Sequence, residues 1–142
     1  MADESAAAGP KRLNVDLSGQ VALVTGASQG LGRAIAEALA AAGATVALAA
    51  RSADKLAQVA AVIRAAGGKA EEVPCDVSKA EEAQRAVEAV VEKCGRLDIL
   101  VNNAGVTRDT LLPRMSDEEW DTVLDTNLRG PFLFMRAASR PM

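Results

Sequence analysis

An α/β fold built on a doubly wound parallel sheet of about four strands is predicted for this chain by three observations. Short apolar runs alternate with segments whose apolar residues recur at helical spacing. The links between them are short, which favours parallel strands joined by right-handed crossovers with helices on both faces. The first run also passes directly into a turn with three glycines that opens a helix, a geometry that aims free backbone N–H groups at an anion.

The elements follow in order. Val21-Ala22-Leu23-Val24-Thr25 is uniformly apolar up to its last residue, as a strand buried on both faces must be. Leu31, Ile35, Ala38, Leu39 and Ala42 then mark one face of a helix closed by Gly43. Thr45 to Ala50 is a second strand, and Ser52 caps a helix carrying Leu56, Val59, Ala60 and Ile63, ended by Gly67-Gly68. Ala70 to Pro74 is a weaker strand whose proline predicts a strand end or a sheet edge. Ser78 and Glu81 are spaced as a capping box for a helix burying Ala83, Val87, Val90, Val91 and Cys94. Leu97 to Val101 is the fourth strand. Ser116 and Glu119 form a second capping box, opening a helix with Trp120, Val123 and Leu124. A further helix covers residues 129–142, with a kink at Gly130-Pro131.

Composition removes several function classes. The 142 residues suit one domain, with 49% hydrophobic and 25% charged residues. A formal net charge of −3 and the lack of a basic run argue against a nucleic-acid partner. No apolar stretch is long enough for a membrane span. With no histidine, neither a Ser-His-Asp triad nor a histidine metal site can be assembled, and no metal ligand set is assigned. Cys75 and Cys94 read as buried or half-buried thiols of a reducing compartment. Asp3 and Glu4 stand where a secretory peptide needs basic residues, so the location expected is cytoplasmic. Residues 1–17 are expected to form a mobile tail and residues 18–142 the domain.

Chemistry concentrates where strands meet helices. In Thr25-Gly26-Ala27-Ser28-Gln29-Gly30-Leu31-Gly32 the glycines allow a tight turn and close approach of a pyrophosphate, which the helix N-terminus would attract. Further motifs are Asp76-Val77 after the third strand, Asn102-Asn103-Ala104-Gly105 after the fourth, and Asn127 in Asp125-Thr126-Asn127-Leu128.

With these motifs in this order, the sequence from about Gly19 onward resembles the short-chain dehydrogenase/reductases. The stretch from Val106 to Leu112, with Arg114-Met115 and Asp117 to Trp120, is similar to the 3-oxoacyl-[acyl-carrier-protein] reductases within that family. The resemblance implies a Rossmann-type fold and a nicotinamide cofactor held by Gly26, Ala27, Ser28, Gln29, Gly30, Leu31 and Gly32. It adds Arg51, Ser52, Asp76, Val77, Asn103, Ala104 and Gly105 to that site, with Asp76 and Val77 at the adenine. It also implies an acyl thioester substrate on acyl carrier protein and a homo-oligomeric full-length form.

Arg51 closes the second strand, where an NAD enzyme carries a carboxylate for the ribose 2′-OH. It reads either as a solvated surface cation or as the partner of a 2′-phosphate. The second reading, and so NADP (NADPH), is favoured because a cation at a helix N-terminus is unfavourable without an anion. Gln29 departs from the Arg frequent there in NADP-using relatives. Asn127 reads either as a polar residue at a helix irregularity or, by resemblance, as a catalytic residue whose backbone holds a water of the proton relay. Trp120 and the Phe132/Phe134 pair read as core or subunit contacts.

The same resemblance implies a catalytic Tyr, a Lys four residues after it and an upstream Ser, all on elements beyond Met142. The chain contains no tyrosine. Two readings stay open: the N-terminal, cofactor-binding part of an NADPH-dependent reductase, or a non-catalytic dinucleotide-binding module. Either way the sheet is expected to stop after about four strands, leaving 97–101 as an apolar edge and Phe132, Leu133 and Met135 exposed.

Overall fold

The computed structural model describes residues 14–142. The four apolar runs form one parallel sheet of β1 (Val21–Thr25), β2 (Thr45–Ala50), β3 (Lys69–Pro74) and β4 (Ile99–Val101), ordered β3-β2-β1-β4. In register, Thr25 lies opposite Ala49 of β2, and Val24 lies opposite Val101 of β4. The helices are α1 (Gly30–Ala41), α2 (Ala53–Ala65), α3 (Ala80–Cys94), α4 (Asp117–Leu124) and α5 (Gly130–Ala138).

Side chains alternate faces along a strand, and both faces of this sheet are covered. Val24, Val46 and Leu48 join Ala36 and Ala40 of α1 and Leu56, Val59 and Ile63 of α2 in one core. Leu23, Ala47 and Ala49 join Val87 and Val90 of α3 and Leu133 and Phe134 of α5 in the other. Leu23 and Leu48 are fully buried on opposite faces, and each contributes about 1.5–3 kcal/mol. This is the predicted doubly wound arrangement, with helices on both sides. Pro74 meets its expectation twice over, as it ends β3 and β3 is an edge strand.

Several local expectations change. Ser78 does not cap α3; its N–H and Oγ both donate to Asp76 Oδ1, at 3.0 and 2.7 Å. The helix starts at Ala80 with Lys79 as its N-cap, so Ser78 lies one residue too early to cap it. Glu82, rather than Glu81, reaches back to accept the Asp76 N–H at 2.7 Å. The Ser116/Glu119 box forms as expected. β4 is only three residues long; just before it Asp98 meets Val21 twice, its N–H donating to the Val21 carbonyl at 2.9 Å and its Oδ2 accepting the Val21 N–H at 2.8 Å. Leu97 is nevertheless buried, and β4 is an edge strand of the sheet, as expected.

Leu133 is not exposed; it packs in the α3/α5 core, while Phe132 and Met135 on the opposite face are open. Phe134 is fully buried, whereas Phe132 lies under the Arg136 guanidinium, 5.0 Å from its ring centre, and Trp120 is exposed rather than in the core. Leu31 and Ala38 are exposed, so they do not belong to the buried face of α1, which is centred on Gly32, Ala36 and Ala40. Of the expected tail, residues 1–13 lie outside the described residues. Within 14–17, Leu17 donates to the Ala42 carbonyl at 2.7 Å and packs on the α1/α2 core.

The helix expected over 129–142 is shorter, Gly130–Ala138, and the irregularity lies before Gly130-Pro131: a π-helical turn over Asp125–Arg129, where the Gly130 N–H bonds to the Asp125 carbonyl. Pro131 has no N–H to continue the α pattern, so the widened turn absorbs the mismatch.

Candidate functional site

A parallel sheet places all its strand ends together, and here the quoted motifs follow the C-terminal ends of β1, β2, β3 and β4. The chain runs outward from β1 to β2 to β3, then returns to lay β4 on the other side of β1. The crevice between β1 and β4 is therefore the point where the winding reverses, the usual ligand position in such sheets.

Thr25 joins the two sides of that crevice. Buried at the end of β1, its Oγ1 accepts the N–H groups of Asn103 and Ala104, each at 3.0 Å, and donates to the Val101 carbonyl at 3.3 Å. Asn103 returns the contact, its Nδ2 donating to the Thr25 and Gly26 carbonyls at 3.1 and 3.3 Å. The turn after β1 and the loop after β4 are thus one hydrogen-bonded unit. The sequence reading assigned no role to Thr25, although a polar residue closing an otherwise apolar strand was the available signal.

The glycines divide into two kinds. A Cβ on Gly32 would lie 2.2 Å from the Gly26 carbonyl oxygen and 2.4 Å from Asn103 Nδ2. A Cβ on Gly26 would lie 2.9 Å from Ala104 Cα. Both are required by the protein's own packing. Gly30 differs: at φ +56° a Cβ there would meet nothing within 4 Å, so it faces open space.

The first turn of α1 carries neither a side-chain cap from Gln29 nor an acidic residue. By contrast, α2 is capped by Ser52 and carries Asp54, and α4 has its box with three acidic residues in its first turn. Uncapped N–H groups behind an open glycine suit a pyrophosphate, so the residues present fit a dinucleotide. Ala27 is buried, its N–H on the Ala49 carbonyl at 3.2 Å, and Ser28 is half-buried.

At the neighbouring strand ends, Arg51 is exposed and makes no ion pair among the described residues. Lys55 of α2 donates from Nζ to Gln29 Oε1 at 3.1 Å. Burial works to raise the Asp76 carboxyl, but hydrogen bonds from Ser78 and the Arg51 and Lys79 charges outweigh it and hold the pKa below the usual range. Asp76 stays ionised, its Oδ1 held by Ser78 and its charge favoured by Arg51. Val77 is buried, with its side chain and its carbonyl oxygen both packed near Gly130.

Asn127 is placed across the loop from Gly105. Its Oδ1 accepts the Val106 N–H and its Nδ2 donates to the Val106 carbonyl, both at 2.8 Å. This two-point clamp ties the loop after β4 to the π-helical turn. Pro131, four residues on, cannot donate to the Asn127 carbonyl as a helix would require. The side chain is thus committed to the loop while the carbonyl lacks its helical donor. Cys75 lies outside this chemistry: burial first, then Glu82 and Asp76, pushes its thiol up to about 12. Among the described residues no cluster of His, Cys, Asp or Glu is arranged to hold a metal ion, and no helix is long and apolar enough to cross a membrane.

Sheet order, phosphate turn and crevice define a dinucleotide-binding α/β protein. The family model for short chain dehydrogenase matches residues 20–142; the chain belongs to the short-chain dehydrogenase/reductase family. It is 49% identical over 127 residues to a 3-oxoacyl-[acyl-carrier-protein] reductase of Synechocystis sp., covering 89% of this chain and 51% of that protein. It is 48% identical over 122 residues to the short-chain reductase protein NovJ of Streptomyces niveus, covering 86% and 47%. Its fold is similar, with a TM-score of 0.85 and 44% identity, to a metagenomic short-chain oxidoreductase solved in complex with NADP, covering 92% and 58%. The chain spans about half the length of the curated relatives it matches.

Proposed function

We propose that this chain is the NADP(H)-binding part of a short-chain reductase, with a 3-oxoacyl thioester on acyl carrier protein as the substrate of the whole enzyme. The observation that carries the cofactor reading is the pairing of an uncapped, acid-free first turn of α1 with Arg51 at the end of β2, which has no ion pair among the described residues. The first suits a pyrophosphate and the second a ribose 2′-phosphate, which a carboxylate in the place of Arg51 would repel. The NADP-bound structural relative supports this choice. The reductase from Synechocystis supports the substrate, although NovJ at nearly equal identity carries a different name.

When bound, the cofactor supplies hydride to a carbonyl carbon. In this reading Gly26 to Gly32 seat the diphosphate, while Asp76 and the Val77 backbone border the adenine. Asn103, Ala104 and Gly105 wall the crevice, and the Asn127 carbonyl holds a water. Hydride transfer builds negative charge on oxygen and needs a positioned proton donor. With no tyrosine or histidine in the sequence, this chain by itself is expected to bind cofactor without turnover.

Fluorescence titration tests the cofactor reading. NADPH should bind more tightly than NADH, and Arg51→Asp should reverse the order; equal affinities in the parent chain would refute it. NADPH oxidation with a 3-oxoacyl thioester should stay at background. Saturable turnover would mean that another group donates the proton.

A further inference from the structure

The Lys55 ammonium is held in an unusual way. It belongs to the first turn of α2, on the same turn as the Ser52 cap, where the helix dipole disfavours positive charge. Among the described residues it pairs with no carboxylate. Instead it crosses to the turn after β1 and donates at 3.1 Å to the neutral amide of Gln29, 26 residues earlier. Arg51, one helical turn before Lys55 in sequence, also lacks an ion pair among the described residues. Two cations without a paired carboxylate therefore stand at the end of β2, one of them reaching over to the phosphate turn.

Resting on the NADP(H) reading above, we infer that Lys55 is a second cation for the ribose 2′-phosphate and that Gln29 positions it. An ammonium has three N–H donors, so one bond to Gln29 leaves two for phosphate oxygens. A dinucleotide with its pyrophosphate at the α1 N-terminus places the adenosine ribose toward the end of β2. Lys55 and Arg51 then meet the 2′-phosphate from α2 and from the strand end. Gln29, which lacks the charge of an Arg at that position, contributes by fixing the lysine.

The test is a set of titrations on the 142-residue chain with NADPH, NADH and 2′,5′-ADP. Because Lys55 is exposed, Lys55→Met keeps the stem and the fold while removing the charge. It should weaken NADPH and 2′,5′-ADP about tenfold, leave NADH unchanged and reduce the salt dependence of NADPH binding. Lys55→Arg should retain most of the NADPH affinity. Gln29→Ala should weaken NADPH a few-fold in the parent and not at all in the Lys55→Met background, the coupling expected of a positioning residue. If the parent prefers NADPH and Lys55→Met preserves that preference, the role of Lys55 is overturned while the cofactor reading stands. If the parent binds NADPH and NADH equally, or binds neither, both fall.

Discussion

Replacing Thr25 with Val tests whether the crevice is built by one hydroxyl. The two side chains have nearly the same shape and both favour strands, so packing of β1 should survive. What disappears is the Oγ1 acceptor shared by the Asn103 and Ala104 N–H groups, each at 3.0 Å, and the donor to the Val101 carbonyl. A stranded backbone donor costs about 1–3 kcal/mol when buried. Asn103 and Ala104 are half-buried, so water relieves part of this and the expected loss is about 2–4 kcal/mol. That is a large share of a typical domain's 5–15 kcal/mol. Urea unfolding followed by circular dichroism should show a lower midpoint with an unchanged slope. Thr25→Ser keeps the hydroxyl and loses one methyl, and should cost only about 1 kcal/mol. A Thr25→Val chain within about 0.5 kcal/mol of the parent, or a Ser variant as damaged as the Val one, would refute the reasoning.

Other outcomes follow from the same geometry. Gly32→Ala drives a Cβ into the Gly26 carbonyl and should destabilise by about 3 kcal/mol or more. Gly30→Ala meets open space and should cost only about 1 kcal/mol of backbone strain; equal midpoints for the two in urea would contradict the division. Asn127→Ala breaks both 2.8 Å bonds to Val106, so the Val106 amide should lose hydrogen-exchange protection while amides of β2 keep theirs. The pH dependence follows from Asp98, whose pKa is lowered by hydrogen bonds from the Arg96 side chain and the Val21 N–H. The unfolded chain then binds more protons in acid, so this stabilisation is present above about pH 4 and is lost as pH falls through the folded value. The urea midpoint should drop as pH falls from about 5 to about 2, and drop less in Asp98→Asn; a midpoint that rises on acidification would reverse the sign.

Much was fixed by sequence because the signals are local. Strands buried on both faces must be continuous apolar runs, so β1 and β2 were legible residue for residue, and short links made them parallel. The glycine-rich turn between β1 and α1 was legible as a turn because glycines clustered between an apolar run and a helical pattern mark one. Capping at Ser116 was legible because the box closes within four residues. Where the helix start shifted by one residue, local reading failed: Ser78 had the spacing of a cap, but Lys79 holds the cap position and Ser78 turns back to Asp76.

Tertiary structure alone decided the rest, since it depends on residues far apart in the chain. Only the strand order β3-β2-β1-β4 brings Thr25 to Asn103 and Ala104, and only that packing reveals that Gly26 and Gly32 serve the protein while Gly30 faces outward. The Asn127–Val106 clamp and the Lys55–Gln29 bond likewise join elements whose separation along the chain carries no periodic signal. A hydrophobic pattern records which face a residue turns inward. It does not record which polar atom waits at the end of another strand, because a directional bond depends on distances of a few tenths of an ångström that only the packed sheet sets.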